Sequence, residues 1–284
     1  MFERTKSGQG NRALFYGVDY ICYVEGGGGV RDFSPDLSFW SSILSLFRPE
    51  LKFKILARGG KPELQIIANE IIQKDIKSSL VAMDADYDRF IRREIIDRRV
   101  LYTFGYSWEN DAFSYVNLEQ IYCAICHCDQ VPQGVSQSFL TGLSQLGSQL
   151  RRAVAADFFA LCAGGSVLPR SAPGRVIVTD AVGWPTVAID QVLALTIAAN
   201  TKLRIRPLPP HVGPPADTIR YCVGKILAFA ARILTKTIVH SNHTKLALSP
   251  DHFRDVSLLT LPRCFAASPH DPVVQHHRAQ CLQI

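Results

Sequence analysis

The sequence predicts an α/β fold, a parallel sheet of β-α-β-α-β-α-β type flanked by helices, followed by a mainly helical C-terminal region. Three observations predict it. Four short apolar runs rich in β-branched and aromatic residues recur between residues 19 and 108. Segments of helical spacing separate them, and short alternating units of this kind call for a parallel sheet with right-handed crossovers. From Asn110 onward the apolar residues recur at helical spacing instead.

Taken in order, the first dozen residues are polar and read as a loose arm. DYICYVEG (19–26) reads as a strand ending at Glu25-Gly26, and the GGGG at 26–29 permits backbone conformations and close approaches that side chains block. Asp36 is a candidate N-cap for LSFWSSILSLF, where Leu37, Trp40, Ile43, Leu44 and Phe47 share helical spacing. LKFKILARGG (51–60) alternates and then breaks at Gly59-Gly60, giving a second strand. KPELQIIANEIIQKD follows, with Pro62 in its first turn and Leu64, Ile67 and Ile71 on one helical face.

The third strand is SSLVAMDADYD (78–88), an apolar run ending abruptly in Asp84, Asp86 and Asp88. A charged helix is expected around RFIRREIIDRR, then a fourth strand, VLYTFGYSW (100–108). Beyond it, 137–163 carries a stripe of Leu140, Leu143, Leu146, Leu150, Val154, Phe158 and Leu161, closed by Gly164-Gly165. A short strand within 174–183, a helix over 187–200, a Pro-rich connector (204–215) and a helix over 218–234 complete the pattern. The polar, His-rich stretch 266–284 reads as a loose tail.

Apolar content of 47% and charged content of 20% fit an ordinary globular protein with ample core. The net charge of +6 is uneven. Residues 1–120 carry 16 Lys/Arg against 17 Asp/Glu, whereas 121–284 carry 15 against 8, with no glutamate after Glu119. An acidic site region joined to a basic remainder suits a polyanionic substrate approached through metal. MFERTKSGQGNR lacks the apolar core of a secretory signal, and the most apolar later run, 186–199, is shorter than a membrane span and contains Asp190. These features predict a cytoplasmic protein with reduced thiols and no membrane partner.

Carboxylates at the carboxyl end of a buried strand project into the crevice where open α/β sheets place ligands. On extended backbone Asp84 and Asp86 share a face, roughly 7 Å apart, and such a pair can hold one divalent cation or help bridge two. An Asp-rich turn is the plain alternative. Glu25, ending the first strand, is the candidate third carboxylate.

This E…DxD set resembles the Toprim catalytic fold, shared by topoisomerases, primases and several nucleases, among them the OLD (overcoming lysogenization defect) nucleases. The resemblance covers about residues 19–110: YVEG, ARGGK after the second strand, AMDADYD, and GYSWEND. The last element is similar to a Toprim-like family allied to OLD proteins, whose members serve as nuclease effectors in phage-defence systems such as PARIS, beside an ABC/AAA-type ATPase. VGKILAFAARIL (223–234) and HFRDVSLLTL (252–261) resemble that family more loosely.

The resemblance implies a Toprim-like catalytic domain over 13–128, a basic helical region over 129–265 for dimerisation, partner or substrate binding, and the tail beyond. It also implies a divalent-metal phosphodiesterase acting on DNA or RNA. Converging carboxylates repel until a cation neutralises them, and hard oxygen ligands suit Mg²⁺ or Mn²⁺. Asp84 and Asp86 are then metal ligands, and Glu25 a further ligand or the general acid/base. Related nucleases often carry another acid shortly after the VEG glutamate, where this chain has glycines. Asp32 or Asp36 can substitute if the loop folds back, while Asp88 and Glu109 are further candidates for the metal shell.

Arg58 and Lys61 flank Gly59-Gly60 at a strand-to-helix turn, where amides and cations together hold phosphate; the alternative is a charged turn. Lys225 on an apolar helix reads as a phosphate contact or as a side chain snorkelling to solvent. Glu109 and Asn110 serve equally as helix caps. CAICHC (123–128) contains C-x-x-C-H, but without export or a second C-x-x-C buried thiols are the simpler reading than haem or zinc. No G-K-[ST] follows the glycine run, so nucleotide switching is expected from a partner ATPase. Two rivals stand beside the nuclease: a degenerate Toprim-like module that binds nucleic acid or a partner without cutting, and a topoisomerase- or primase-type transferase.

Overall fold

A computed structural model describes residues 11–26, 34–202, 217–242 and 247–284. The chain divides into two compact units. The first takes Met1–Ala85, Glu94–Phe104 and Phe265–Ile284; the second takes Asp86–Arg93 and Gly105–Cys264. Among the described residues no helix is long and apolar enough to cross a membrane.

The first unit holds α1 (Arg12–Tyr16), β1 (Tyr20–Val24), α2 (Pro35–Phe47), β2 (Phe53–Ala57), α3 (Lys61–Gln73), β3 (Ser79–Met83) and β4 (Val100–Tyr102). The four strands form a parallel sheet in the order β2-β1-β3-β4, with Val24 level with Ala57 on one side and Ala82 on the other. The expected α/β class is present. Alternation within the strands sorts the core. Ile21, Tyr23, Val81, Met83, Val100 and Tyr102 face Leu64, Ala68 and Ile71 of α3. Cys22, Val24, Leu80, Ala82 and Leu101 supply the buried opposite face.

That opposite face involves a segment expected to be loose. Residues Pro272–Cys281 form a helix, numbered α12 below, capped by Asp271, whose side chain accepts from the Val273 amide at 2.8 Å. Its Cys281 lies beside Cys22 of β1, and its His277 packs edge-on against Phe39 and Trp40 of α2. Gln280 completes the free edge of β4: Tyr102 N–H donates to its Oε1 at 2.8 Å, and its Nε2 donates to Tyr102 O at 2.9 Å. Arg48 donates to the carbonyls of Cys281 and Ile284 at the helix end. The polar residues that suggested a tail are those that dock it.

The charged helix expected over 89–99 is also corrected. Only Asp88–Ile91 is helical (α4), in the second unit, and Arg92 with φ 55° ends it. Residues 94–99 belong to the first unit and are not helical. Ile95 packs against the sheet core, Ile96 is 98% exposed, and Arg99 pairs with Asp97 and Asp75 at 2.8 and 3.0 Å. Apolar residues so placed give no single helical face. The fourth strand likewise stops at Tyr102, six residues short of the expected end.

The second unit continues with α5 (Trp108–Ala112), α6 (Tyr115–Cys126), α7 (Gln133–Cys162), a hairpin of β5 (Ile177–Thr179) and β6 (Pro185–Val187), α8 (Ile189–Lys202), α9 (Thr218–Tyr221), α10 (Gly224–Asn242) and α11 (Pro250–Ala267), which runs on into the first unit, before α12. The stripe of α7 is buried as expected at Leu143, Leu146, Leu150, Val154 and Phe158. Phe139 replaces Leu140, which is 42% exposed. Gly142 lets α7 approach α10 closely, since a Cβ there would come within 2.6 Å of Leu234. The Pro-rich connector lies outside the described residues.

Candidate functional site

In the order β2-β1-β3-β4 the chain's direction of sheet growth reverses between β1 and β3. Ligands of open α/β sheets bind outside the carboxyl ends of the strands at such a switch point. Glu25 and Asp84 are the first residues beyond those two strands, and both are half-buried. The Asp84 amide donates to Glu25 Oε1 at 3.3 Å, so the glutamate reaches across to the end of the neighbouring strand. Two of the three expected carboxylate residues are thereby brought together.

The turn around Glu25 is tied from both sides. Arg58 N–H donates to Val24 O at 2.8 Å and Gly26 N–H to Gly59 O at 2.9 Å, extending the ladder beyond β1 and β2. Gly26 has φ 111°, and a Cβ there would lie 2.5 Å from Ser34 Oγ, so this turn admits only glycine without rearrangement. Ser34 is the N-cap of α2, the position the sequence assigned to Asp36. Its hydroxyl lies 3.1 Å from Glu25 O and 3.0 Å from Asp36 Oδ2, with one proton to share between them. Asp36 thus returns to the Glu25 turn from the start of α2. Asp32 lies outside the described residues.

The DxD segment departs from the expected extended geometry. The Ala85 amide donates to Thr103 Oγ1 at 2.9 Å, which ends β3 in a turn. Asp86 then takes a left-handed backbone, φ 49°. Aspartate tolerates this region better than most residues, and the Asp86 amide donates to Tyr106 O at 2.7 Å. Asp84 and Asp86 therefore do not share a strand face, and covalent geometry alone keeps their Cα atoms within roughly 7 Å.

In the second unit, Asp86 belongs to a buried polar group that the sequence reading passed over. Tyr106 hydrogen-bonds the Asp86 side chain, and burial first, then the Asp86 charge, pushes its phenol far above the usual range. Arg170 lies over the Tyr106 ring, 5.5 Å from its centroid, and pairs with Asp157 at 2.9 Å. Asp157 is fully buried, and its Oδ1 accepts from the Val167 and Leu168 amides at 2.8 Å each. The available signal was Asp157 itself, an acid set within the apolar stripe of α7.

The remaining candidates are distributed elsewhere. Asp88 is buried in the first turn of α4. Glu109 is buried, and its Oε2 accepts the Ser107 hydroxyl at 2.6 Å. Asn110 Oδ1 accepts from the Ser107 amide, and its Nδ2 donates to Ile219 O and Cys222 O at 2.8 and 3.0 Å. These contacts are the capping arrangement kept open above. Gly224 packs against it so tightly that a Cβ would fall 1.9 Å from Ser107 Oγ.

Lys225 is exposed at the second position of α10. Arg58 is exposed at the β2–α3 turn and also lines a cavity of about 150 Å³ with Arg12, Tyr23, Glu70 and Ser79. Lys61 is the first residue of α3. There, Glu63 accepts from the Gly60 amide at 3.0 Å, occupying one of the donors expected for phosphate.

The CAICHC thiols are half-buried at the end of α6, and His127 with φ 52° terminates that helix. Burial, reinforced by Cys128, pushes the Cys123 thiol up to about 12. Among the described residues no group of three or more His, Cys, Asp or Glu side chains gathers as a ligand set. Glu25 and Asp84 nevertheless fit Mg²⁺ or Mn²⁺ in donor type. Mg²⁺ in particular commonly takes one or two carboxylates and fills its remaining positions with water and substrate phosphate. Compared with models of known protein families and with curated proteins, the chain matches none.

Proposed function

We propose that this protein is a divalent-metal-dependent nuclease of Toprim-like type, hydrolysing phosphodiester bonds in DNA or RNA, tRNA included. The observation that carries the reading is the meeting of Glu25 with Asp84 at the carboxyl ends of the two strands that flank the switch point. Glu25 and Asp84 are the principal ligands of Mg²⁺ or Mn²⁺, Asp86 is the further ligand that the resemblance implies, and Asp36 returns toward the Glu25 backbone through Ser34. When bound, the ion supplies Lewis-acid stabilisation of the charge developing on the phosphoryl group. Glu25 serves in this reading as a ligand or as the general acid/base. Arg58, Lys61 and Lys225 are assigned to the phosphate backbone, whose binding the basic residues 121–284 favour.

The sequence resemblance extends the proposal to an anti-phage effector triggered by an ABC/AAA-type ATPase. Cleavage of plasmid DNA and total tRNA with Mg²⁺, Mn²⁺ or EDTA tests it, with any ATPase encoded alongside included. Wild type is expected to cut only with metal, and Glu25→Ala and Asp84→Ala to abolish cutting while remaining folded. Folded wild type that binds nucleic acid but leaves both substrates intact under every condition would replace the nuclease with the non-cutting binding module.

A further inference from the structure

We infer that Tyr106 is a positioning residue for Asp86, held in place by the Asp157–Arg170 ion pair. This rests on the nuclease reading above, in which Asp86 is a metal ligand. Tyr106 is 7% exposed, and a buried phenol needs an acceptor. Its acceptor is the side chain of Asp86, while the Asp86 amide donates to the Tyr106 carbonyl at 2.7 Å. One residue thus fixes both the backbone and the carboxylate of an aspartate whose left-handed conformation few residues adopt.

The tyrosine is itself held rigidly. Its ring meets Tyr87 edge-on with centroids 5.0 Å apart, and Arg170 lies against it. Arg170 is set in turn by Asp157 Oδ2 and by Leu168 O at 3.0 Å. Asp157 is anchored to the backbone of residues 167–168. A chain of oriented groups therefore runs from the end of α7 to Asp86. Outer hydrogen bonds of this kind orient ligating carboxylates, and losing one typically costs about 10–100-fold in metal affinity or activity.

The test is Tyr106→Phe in the full chain, which keeps the ring and its packing and removes only the hydroxyl. The control is Tyr87→Phe, which removes a 3.4 Å bond to Asp157 rather than one to Asp86. Two quantities are read: Mn²⁺ affinity by calorimetry, and the metal concentration giving half-maximal cleavage. Tyr106→Phe is expected to weaken both by about tenfold, with the rate restored at high metal. Tyr87→Phe is expected to leave both unchanged. A purely structural role would lower thermal stability in either variant without moving the metal dependence. Wild-type metal dependence in a folded Tyr106→Phe overturns the inference and leaves the nuclease intact. Wild type that neither cuts nor binds Mn²⁺ removes the nuclease reading and this inference together.

Discussion

Asp157→Ala offers the most direct measure of what the buried polar group contributes to the second unit. The substitution removes the acceptor of two amides, those of Val167 and Leu168, which are 5% and 0% exposed. A buried amide left without an acceptor costs about 1–3 kcal/mol, so the two together amount to about 2–6 kcal/mol. The Arg170 guanidinium is 36% exposed and can recover hydration, so the lost ion pair adds only about 0.5–1 kcal/mol. The expected destabilisation is about 4 kcal/mol. Asp157→Asn keeps an oxygen for the amides but replaces Oδ2, the acceptor of Arg170 and Tyr87, with an NH2 donor, for about 1–2 kcal/mol.

Urea denaturation followed by far-UV circular dichroism and tryptophan fluorescence measures both. Trp108 and Trp184 report from the second unit and Trp40 from the first. An alanine variant within 1 kcal/mol of wild type would refute the reasoning. So would an asparagine variant as damaged as the alanine, because the backbone amides would then not be the groups that matter.

Two further perturbations address the fold. Terminating the chain after Ala267 removes the buried Val274, His277 and Cys281 and exposes the ring faces of Phe39 and Trp40. At about 1.5–3 kcal/mol per buried side chain, the first unit should lose at least about 4 kcal/mol, seen as an early loss of Trp40 fluorescence; a truncation without effect on stability would return this segment to a loose tail. Stability should also fall with rising pH above about 9. Burial raises the thiols of Cys222 and Cys281 to about 12 and the Cys22 thiol and the Tyr87 and Tyr106 phenols further still. The unfolded chain releases these protons first, starting from the ordinary values near 9 and 10, so the stabilisation is complete below pH 9 and declines as pH rises toward the folded values. Urea midpoints at pH 8 and 10.5 measure this, and equal midpoints would refute it.

The sheet was legible because its strands announce themselves twice, by β-branched apolar runs and by abrupt ends at Glu25, Gly59 and Asp84. What was misjudged has a common cause. Charge and polarity suggest solvent, yet Gln280 closes a strand edge, Arg48 caps a helix end, and His277 sits among aromatic rings. Single-residue polar contacts made across more than 150 positions leave no periodic trace. The 89–99 segment failed for the converse reason. Good helix formers were present, but Ile95 and Ile96 could not both face the core.

The same asymmetry governs the site. Glu25 and Asp84 were found because a parallel sheet converts strand ends into neighbours, so position in the sequence pattern implies position in space. Asp86 lies two residues further and already escapes that logic. Its conformation depends on Thr103 turning the chain at Ala85 and on Tyr106 receiving it, and neither residue belongs to a motif of acids. Asp157 was visible as an acid in an apolar stripe, but Arg170 and Tyr106, which give that acid its meaning, stand 13 and 51 residues away. Carboxylates at strand ends are therefore easier to read in a sequence than the groups packed around them. In the reading proposed above, those groups decide whether Asp86 acts as a ligand or only as the residue that turns the chain.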